Sequence, residues 1–99
     1  MVALFKRPQD VESFDRHYSE THAPLMRQVP GLLDMVVIRD LKSFGGEPAF
    51  YTMAIMTFKD RESFDAAMAS PENRAAGKDL MSFARDYVTL VYGEVEEQE

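Results

Sequence analysis

The sequence contains no cysteine among its 99 residues. Disulfide bonds, thiolate nucleophiles, iron–sulfur clusters and cysteine-ligated zinc are therefore excluded. Only two histidines are present, which is too few for an all-histidine zinc site within one chain. We therefore expect no bound metal and no cofactor.

The chain also lacks an excess of basic residues and lacks any long apolar run. Its 11 Lys and Arg stand against 17 Asp and Glu, so the formal net charge is −6. Nucleic acids and anionic membranes both favour basic surfaces, and we expect neither as a partner. No apolar run approaches the roughly 20 residues that span a bilayer, and the one at the N-terminus is too short for a signal peptide. We therefore expect a cytoplasmic protein.

The composition is otherwise that of an ordinary globular protein, with 45% hydrophobic and 28% charged residues. A length of 99 residues suits one domain, so we assign residues 1–99 to a single domain. The acidic tail from about residue 94 is expected to fray into solvent.

A short segment occurs twice with one change: Asp10–Asp15 reads DVESFD, and Asp60–Asp65 reads DRESFD. Each copy follows an apolar, strand-like run and begins a helical pattern, with its first aspartate as the N-cap. A further strand follows each helix. The order β-α-β-β-α-β predicts an α+β, ferredoxin-like monomer, with a four-stranded antiparallel sheet and its helices on one face.

Prolines interrupt both helical regions. Apolar residues from Val11 to Val29 recur at steps of three and four and form one face of the first helix. Pro24 lacks the N–H that would bond the Glu20 carbonyl, so we expect a kink or restart around residues 20–23. The second region is expected to restart at Pro71, with Ser70 as the N-cap.

The predicted strands are apolar on both alternating faces. They are Val2–Phe5, Leu33–Asp40, Phe50–Phe58 and Tyr87–Val95. Two helices cover only one face of such a sheet, so the other face needs a cover as well. A second copy of the same sheet is the simplest cover, and we predict a homodimer that forms a dimeric α/β barrel. A different protein partner is the alternative.

Several segments are similar to the EthD family of dimeric α/β-barrel proteins. They are Leu4–Asp10, Phe14–Tyr18, His22–Leu25, Val29–Leu32 and Ser70–Glu72. The resemblance implies a ferredoxin-like monomer whose sheet packs on its two-fold mate. Members of the family are associated with degradation of ethyl tert-butyl ether, alongside a cytochrome P450 system. Proteins of this fold also include cofactor-independent monooxygenases, muconolactone isomerases and haem-binding proteins, and the fold alone does not choose among them.

His22 is the strongest candidate for acid–base chemistry, because a neutral imidazole exchanges protons near neutral pH. A backbone carbonyl freed by Pro24 can fix the tautomer of its ring; a purely structural histidine is the alternative. Tyr18, one turn earlier, is the second catalytic candidate, although it also fits a core position. His17 lies five residues before His22, about 140° round an α-helix, and is expected to face solvent. Arg39 is interpreted as a surface or rim charge.

We predict that a small hydrophobic organic ligand binds between the helices and the sheet. The predicted ligand-binding residues are Phe14, Tyr18, His22, Tyr51, Met53 and Phe83. The favoured function is an EthD-type binding or accessory protein. Two alternatives stay open: a cofactor-independent monooxygenase or muconolactone-isomerase-like enzyme with His22 as proton shuttle, and a haem-binding protein with His22 as axial ligand.

Overall fold

Four strands form one antiparallel sheet. The structure, a computed structural model, describes residues 1–96 of the chain. The strands are β1 (Val2–Phe5), β2 (Leu32–Arg39), β3 (Thr52–Phe58) and β4 (Val88–Val91), and their order in the sheet is β2-β3-β1-β4. This arrangement confirms the predicted α+β, ferredoxin-like fold. The predicted fraying of the acidic tail falls in part on residues 97–99, which lie outside the described residues.

The helical segments are α1 (Val11–His17), a π-helical turn (Tyr18–His22), α2 (Ala23–Met26), α3 (Arg61–Met68) and α4 (Pro71–Ala84). Three of these helices begin at a side chain that accepts from a backbone N–H three residues on: Asp10 from Ser13, Asp60 from Ser63 and Ser70 from Asn73. These contacts confirm the predicted N-caps and the restart at Pro71. Within residues 1–96, no helix has the length and apolar character that crossing a membrane requires.

The last strand is shorter than the predicted Tyr87–Val95. β4 ends at Val91, which pairs with Val2, the first residue of β1. Among residues 1–96, β1 is the only strand beside β4, so beyond Val91 no residue of β1 remains to accept or donate a ladder hydrogen bond.

β3 and β2 also differ slightly from their predicted bounds. β3 begins at Thr52 rather than Phe50, opposite Phe5 at the end of β1. β2 ends at Arg39 because the backbone of Asp40 turns into the left-handed region, with φ of 56°.

The helices cover one face of the sheet and form the core with it. Ala3 and Phe5 of β1 and Ala54 and Met56 of β3 are buried on that face, at alternating positions of their strands. The ring of Phe5 lies edge-on to Tyr18, with 5.6 Å between the ring centroids. The first residue of the π-helical turn therefore packs directly on the sheet.

The opposite face of the sheet is largely apolar, and we call it the open face. Its apolar residues are Val2, Leu4, Val36, Ile38, Met53, Ile55 and Val91, and Asp34, Thr57 and Thr89 lie on the same face. They are neighbours across all four strands, since Val2 pairs with both Ile55 and Val91, and Ile38 pairs with Met53. Val36 and Ile38 are 44% and 40% exposed. A continuous apolar surface of this kind is typical of an interaction face.

Candidate functional site

The first helical run contains the π-helical turn where the sequence predicts a break. The N–H of Ala23 donates to the carbonyl of Tyr18, five residues back, instead of four. Pro24 follows directly and has no N–H to donate, so the regular α-helical ladder is already interrupted there. π-helical turns are frequent at functional sites, because the extra residue redirects the neighbouring side chains.

The π-helical turn brings both histidines to one carboxylate on α4. His17 Nε2 lies 2.9 Å from Asp79 Oδ1, and His22 Nδ1 lies 3.1 Å from Asp79 Oδ2. The prediction that His17 faces solvent is therefore wrong. In an α-helix, side chains five residues apart point in different directions. A π-helical turn places residue i+5 almost above residue i, so the rings of His17 and His22 point the same way. The three residues form what we call the histidine cluster.

Asp79 sets the tautomer of His22. A carboxylate only accepts hydrogen bonds, so Nδ1 of His22 carries the proton and Nε2 keeps its lone pair in the neutral ring. The acceptor is thus a side chain of α4 and not the backbone carbonyl that the sequence predicts. Burial lowers the pKa of His22 and Asp79 opposes that effect, so the ring is neutral at pH 7.

Folding stability is expected to fall as the pH drops below about 6.5, the ordinary pKa of an unfolded histidine. Because the pKa of His22 is lower in the folded state, the unfolded chain binds more protons between the two pKa values, and stability rises with pH across that window. Urea unfolding of the wild type and of His22→Gln, at several pH values from about 5 to 7, measures this. The variant should show the weaker pH dependence; equal slopes would contradict a buried neutral His22.

A cleft of about 270 Å³ opens between the π-helical turn, α2 and β2. It is lined by Tyr18, Ser19, Ala23, Arg27, Val37 and Arg39, and we call it the Tyr18 cleft. Tyr18 is 2% exposed and forms its inner wall. The cleft therefore lies between helices and sheet, as the predicted ligand site does.

Arg39 holds the β2 side of the Tyr18 cleft. Its Nη2 donates to the hydroxyl of Ser19 at 3.1 Å, and its Nε lies 3.4 Å from Oδ1 of Asp15. The guanidinium carbon lies 5.9 Å from the ring centroid of Tyr18. On the far side of Asp15, the Tyr51 hydroxyl donates to Oδ2 at 2.8 Å. Arg39 is thus a rim charge, as the sequence indicates, and is also tied to the first helical run.

The hydroxyl of Tyr18 makes no hydrogen bond to any of residues 1–96, and because it is not fully buried, water can reach it through the cleft. Burial raises the pKa of Tyr18 to about 12, against the opposite influence of Arg39 and Arg27. The phenol therefore stays protonated at neutral pH. It offers one O–H donor at the wall of the cleft with no protein acceptor among the described residues.

The structure does not bring all the predicted ligand-binding residues together. Phe14 and Phe83 line a second cleft of about 280 Å³, beside His17 and between the β1–α1 loop and the end of α4. Met53 lies on the open face, across the sheet from the Tyr18 cleft.

The remaining predicted residues surround Tyr18 without lining its cleft. His22 is within 5.3 Å of Tyr18 between ring centroids, but its ring nitrogen is directed at Asp79. The Tyr51 hydroxyl donates to Asp15. The guanidinium carbon of Arg7 lies 5.3 Å from the ring centroid of Tyr51.

Several residues of these sites lie outside the sequence prediction, among them Asp79, Arg27 and Ser19. Asp79 had a readable signal: it is a carboxylate on the same helix stripe as Leu80 and Phe83, where a buried partner is expected. Arg27 and Ser19 had none, because their place beside Tyr18 depends on the π-helical turn and on the approach of β2.

Comparison with known proteins places the chain in one family. A family model described as EthD domain matches residues 6–86. A solved structure from Bacillus halodurans, described as an ethyl tert-butyl ether d (ethd) family protein, is 47% identical with a TM-score of 0.91, covering 96% of this chain and 95% of that one.

Two further proteins are also similar. A Rhodococcus erythropolis protein, described as an uncharacterized 11.0 kDa protein in the thcB-thcC intergenic region, is 31% identical over 96 residues, 97% of this chain and 93% of its own length. A dimeric ferredoxin-like protein of unknown function from Jannaschia sp. shares the fold at 19% identity and a TM-score of 0.69, covering 95% and 96%. Because the EthD family model matches most of the length of this chain, the chain belongs to the EthD domain family.

Proposed function

We propose that this protein is a homodimer that binds a small organic molecule in the Tyr18 cleft. The observation that carries the proposal is the Tyr18 hydroxyl, a donor at the wall of the cleft with no protein acceptor among residues 1–96. The hydroxyl is not fully buried, so water hydrates it in the free protein. A ligand oxygen that accepts from Tyr18 replaces that water, for a net gain of about 0.5–1.5 kcal/mol, so the cleft favours molecules with an exposed acceptor.

The dimensions of the cleft limit the ligand. Liquid water occupies about 30 Å³ per molecule, so a cleft of about 270 Å³ has room for a ligand of roughly ten non-hydrogen atoms. Ala23 and Val37 supply the apolar part of its wall. A small ether or a related oxygenated compound, as the family name of the Bacillus halodurans protein indicates, is of this size.

Binding is better supported than proton transfer by His22. The His22–Asp79 pair has the tautomer that a general base needs, which is the observation in favour of catalysis. The ring, however, packs between Tyr18 and Phe83 and lines neither cleft. A base must come within hydrogen-bond reach of the proton that it removes, so we assign His22 to the support of Tyr18.

The open face supports the homodimer. It presents apolar side chains from all four strands, and a second copy of the same face is complementary to it under two-fold symmetry. The Jannaschia protein that shares the fold is described as dimeric. The Tyr18 cleft lies on the helix side of the sheet and stays accessible in such a dimer.

Tyr18→Phe is expected to weaken ligand binding about tenfold, the equivalent of one lost hydrogen bond. Small oxygenated compounds are first screened by thermal shift, and the dissociation constants of the hits are then measured by calorimetry on both proteins. Stability should stay within about 1 kcal/mol, because no described protein group loses a partner. Tyr92→Phe, which removes an exposed hydroxyl near Phe64, is the matched control. Unchanged affinity in Tyr18→Phe would contradict the proposed site.

A further inference from the structure

The Tyr18 cleft is lined by positively charged side chains, although the protein as a whole is acidic. Arg27 and Arg39 both line it, and its described lining includes no carboxylate, although the chain carries a net charge of −6. Arg39 has Asp15 beside it at 3.4 Å. Arg27, at the end of α2, is exposed and makes no ion pair within residues 1–96. The positive charge of Arg27 is therefore not paired with a carboxylate of the described residues.

The polar groups of the cleft are donors. Tyr18 offers its O–H, and the two guanidinium groups offer only N–H donors. The hydroxyl of Ser19 already accepts a hydrogen bond from Arg39. A neutral ether oxygen satisfies one or two of these donors, whereas a carboxylate has about four acceptor positions and a charge to pair with the arginines.

The acidic residues elsewhere on the protein do not cancel the attraction of this cleft for an anion. Interactions between exposed charges are largely screened beyond about 8 Å at physiological ionic strength. Arg27 lines the cleft within reach of an occupant and its charge is not paired by a described carboxylate, so it outweighs the more distant acidic surface.

We propose that the Tyr18 cleft selects small organic monocarboxylates. The carboxylate accepts from the Tyr18 hydroxyl and pairs with Arg27 and Arg39, while the apolar part of the ligand lies against Ala23 and Val37. This inference rests on the proposed binding function of the cleft and adds the charge of the ligand to it.

Benzoate and benzamide test the proposal, because they have the same shape and the same number of non-hydrogen atoms but differ in charge. We expect the wild type to bind benzoate about tenfold more tightly than benzamide in calorimetric titrations at physiological salt. Arg27→Gln should reduce that preference to about threefold or less without lowering Tm, since Arg27 is exposed. Arg85→Gln, at an exposed position beyond α4, removes the same charge and should keep the full preference.

Three results would overturn the proposal: equal affinities for the two probes, a preference that Arg27→Gln leaves intact, or no benzoate binding up to about 10 mM. The Tyr18→Phe measurement separates this failure from failure of the binding function. If neutral compounds bind in a Tyr18-dependent manner and benzoate has no advantage, the binding site stands and its charge selectivity falls. If no compound depends on Tyr18, both fall.

Discussion

The Ile38→Asp variant is expected to be monomeric, in contrast to the dimer that we propose for the wild type. Ile38 lies within the open face, 40% exposed and paired with Met53 on the neighbouring strand. In the proposed dimer its side chain is buried against the partner sheet. An unpaired carboxylate there would lose its hydration, at a cost of several kcal/mol, which is a change of more than about a thousandfold in the dimer dissociation constant.

Light scattering at micromolar concentration measures the outcome. The wild type should have twice the chain mass of 11.3 kDa, and Ile38→Asp should have the mass of one chain. Met81→Asp is the matched control, because Met81 is 38% exposed but lies on α4, away from the open face. Val37→Asp, on the helix side of the same strand at the wall of the Tyr18 cleft, should remain dimeric. A wild-type monomer, or a dimeric Ile38→Asp, would contradict the assigned interface.

Asp79→Ala is expected to lower the free energy of unfolding by about 2–4 kcal/mol. The change removes the acceptor for both histidines of the cluster, and the N–H of His22 is buried where water does not replace it. The exposed edge of His17 can be hydrated, so its share is the smaller one. For a domain of this size the loss corresponds to a Tm lower by about 10–25 °C.

Thermal unfolding followed by circular dichroism tests this expectation. Asp86→Ala removes an exposed carboxylate just beyond the end of α4 and should change the free energy of unfolding by less than about 0.5 kcal/mol. If Asp79→Ala is as stable as Asp86→Ala, the histidine cluster does not hold α4 to the first helical run.

The features that could be predicted from the sequence are those that depend on neighbouring residues. The aspartate and serine caps follow from a side chain and an N–H three residues away, and the strand order follows from the doubled unit. The length of β4 could not be read from its own apolar residues, because it is set by where β1 begins.

The candidate site was harder to predict because it depends on helix phase and on distant contacts. The π-helical turn places His17 and His22 on the same side of the helical run, whereas an α-helical projection of the sequence places them on different sides. The Tyr18 cleft likewise requires Arg27 and Arg39, two residues on different elements, to meet at a tyrosine. The sequence identified Tyr18 as a candidate but placed Met53 with it, since strand alternation alone does not say which face the helices cover.

Chemical-shift mapping of a bound small molecule tests most directly whether the Tyr18 cleft is the binding site. The tightest hit from the thermal-shift screen is titrated into isotope-labelled wild-type protein, and the backbone amide shifts are followed. The largest changes should fall on Ser19, Ala23, Arg27 and Val37, and Tyr18→Phe should weaken the titration about tenfold. Changes concentrated instead at the second cleft, on Gln9, Ser13 and Tyr87, would contradict the account.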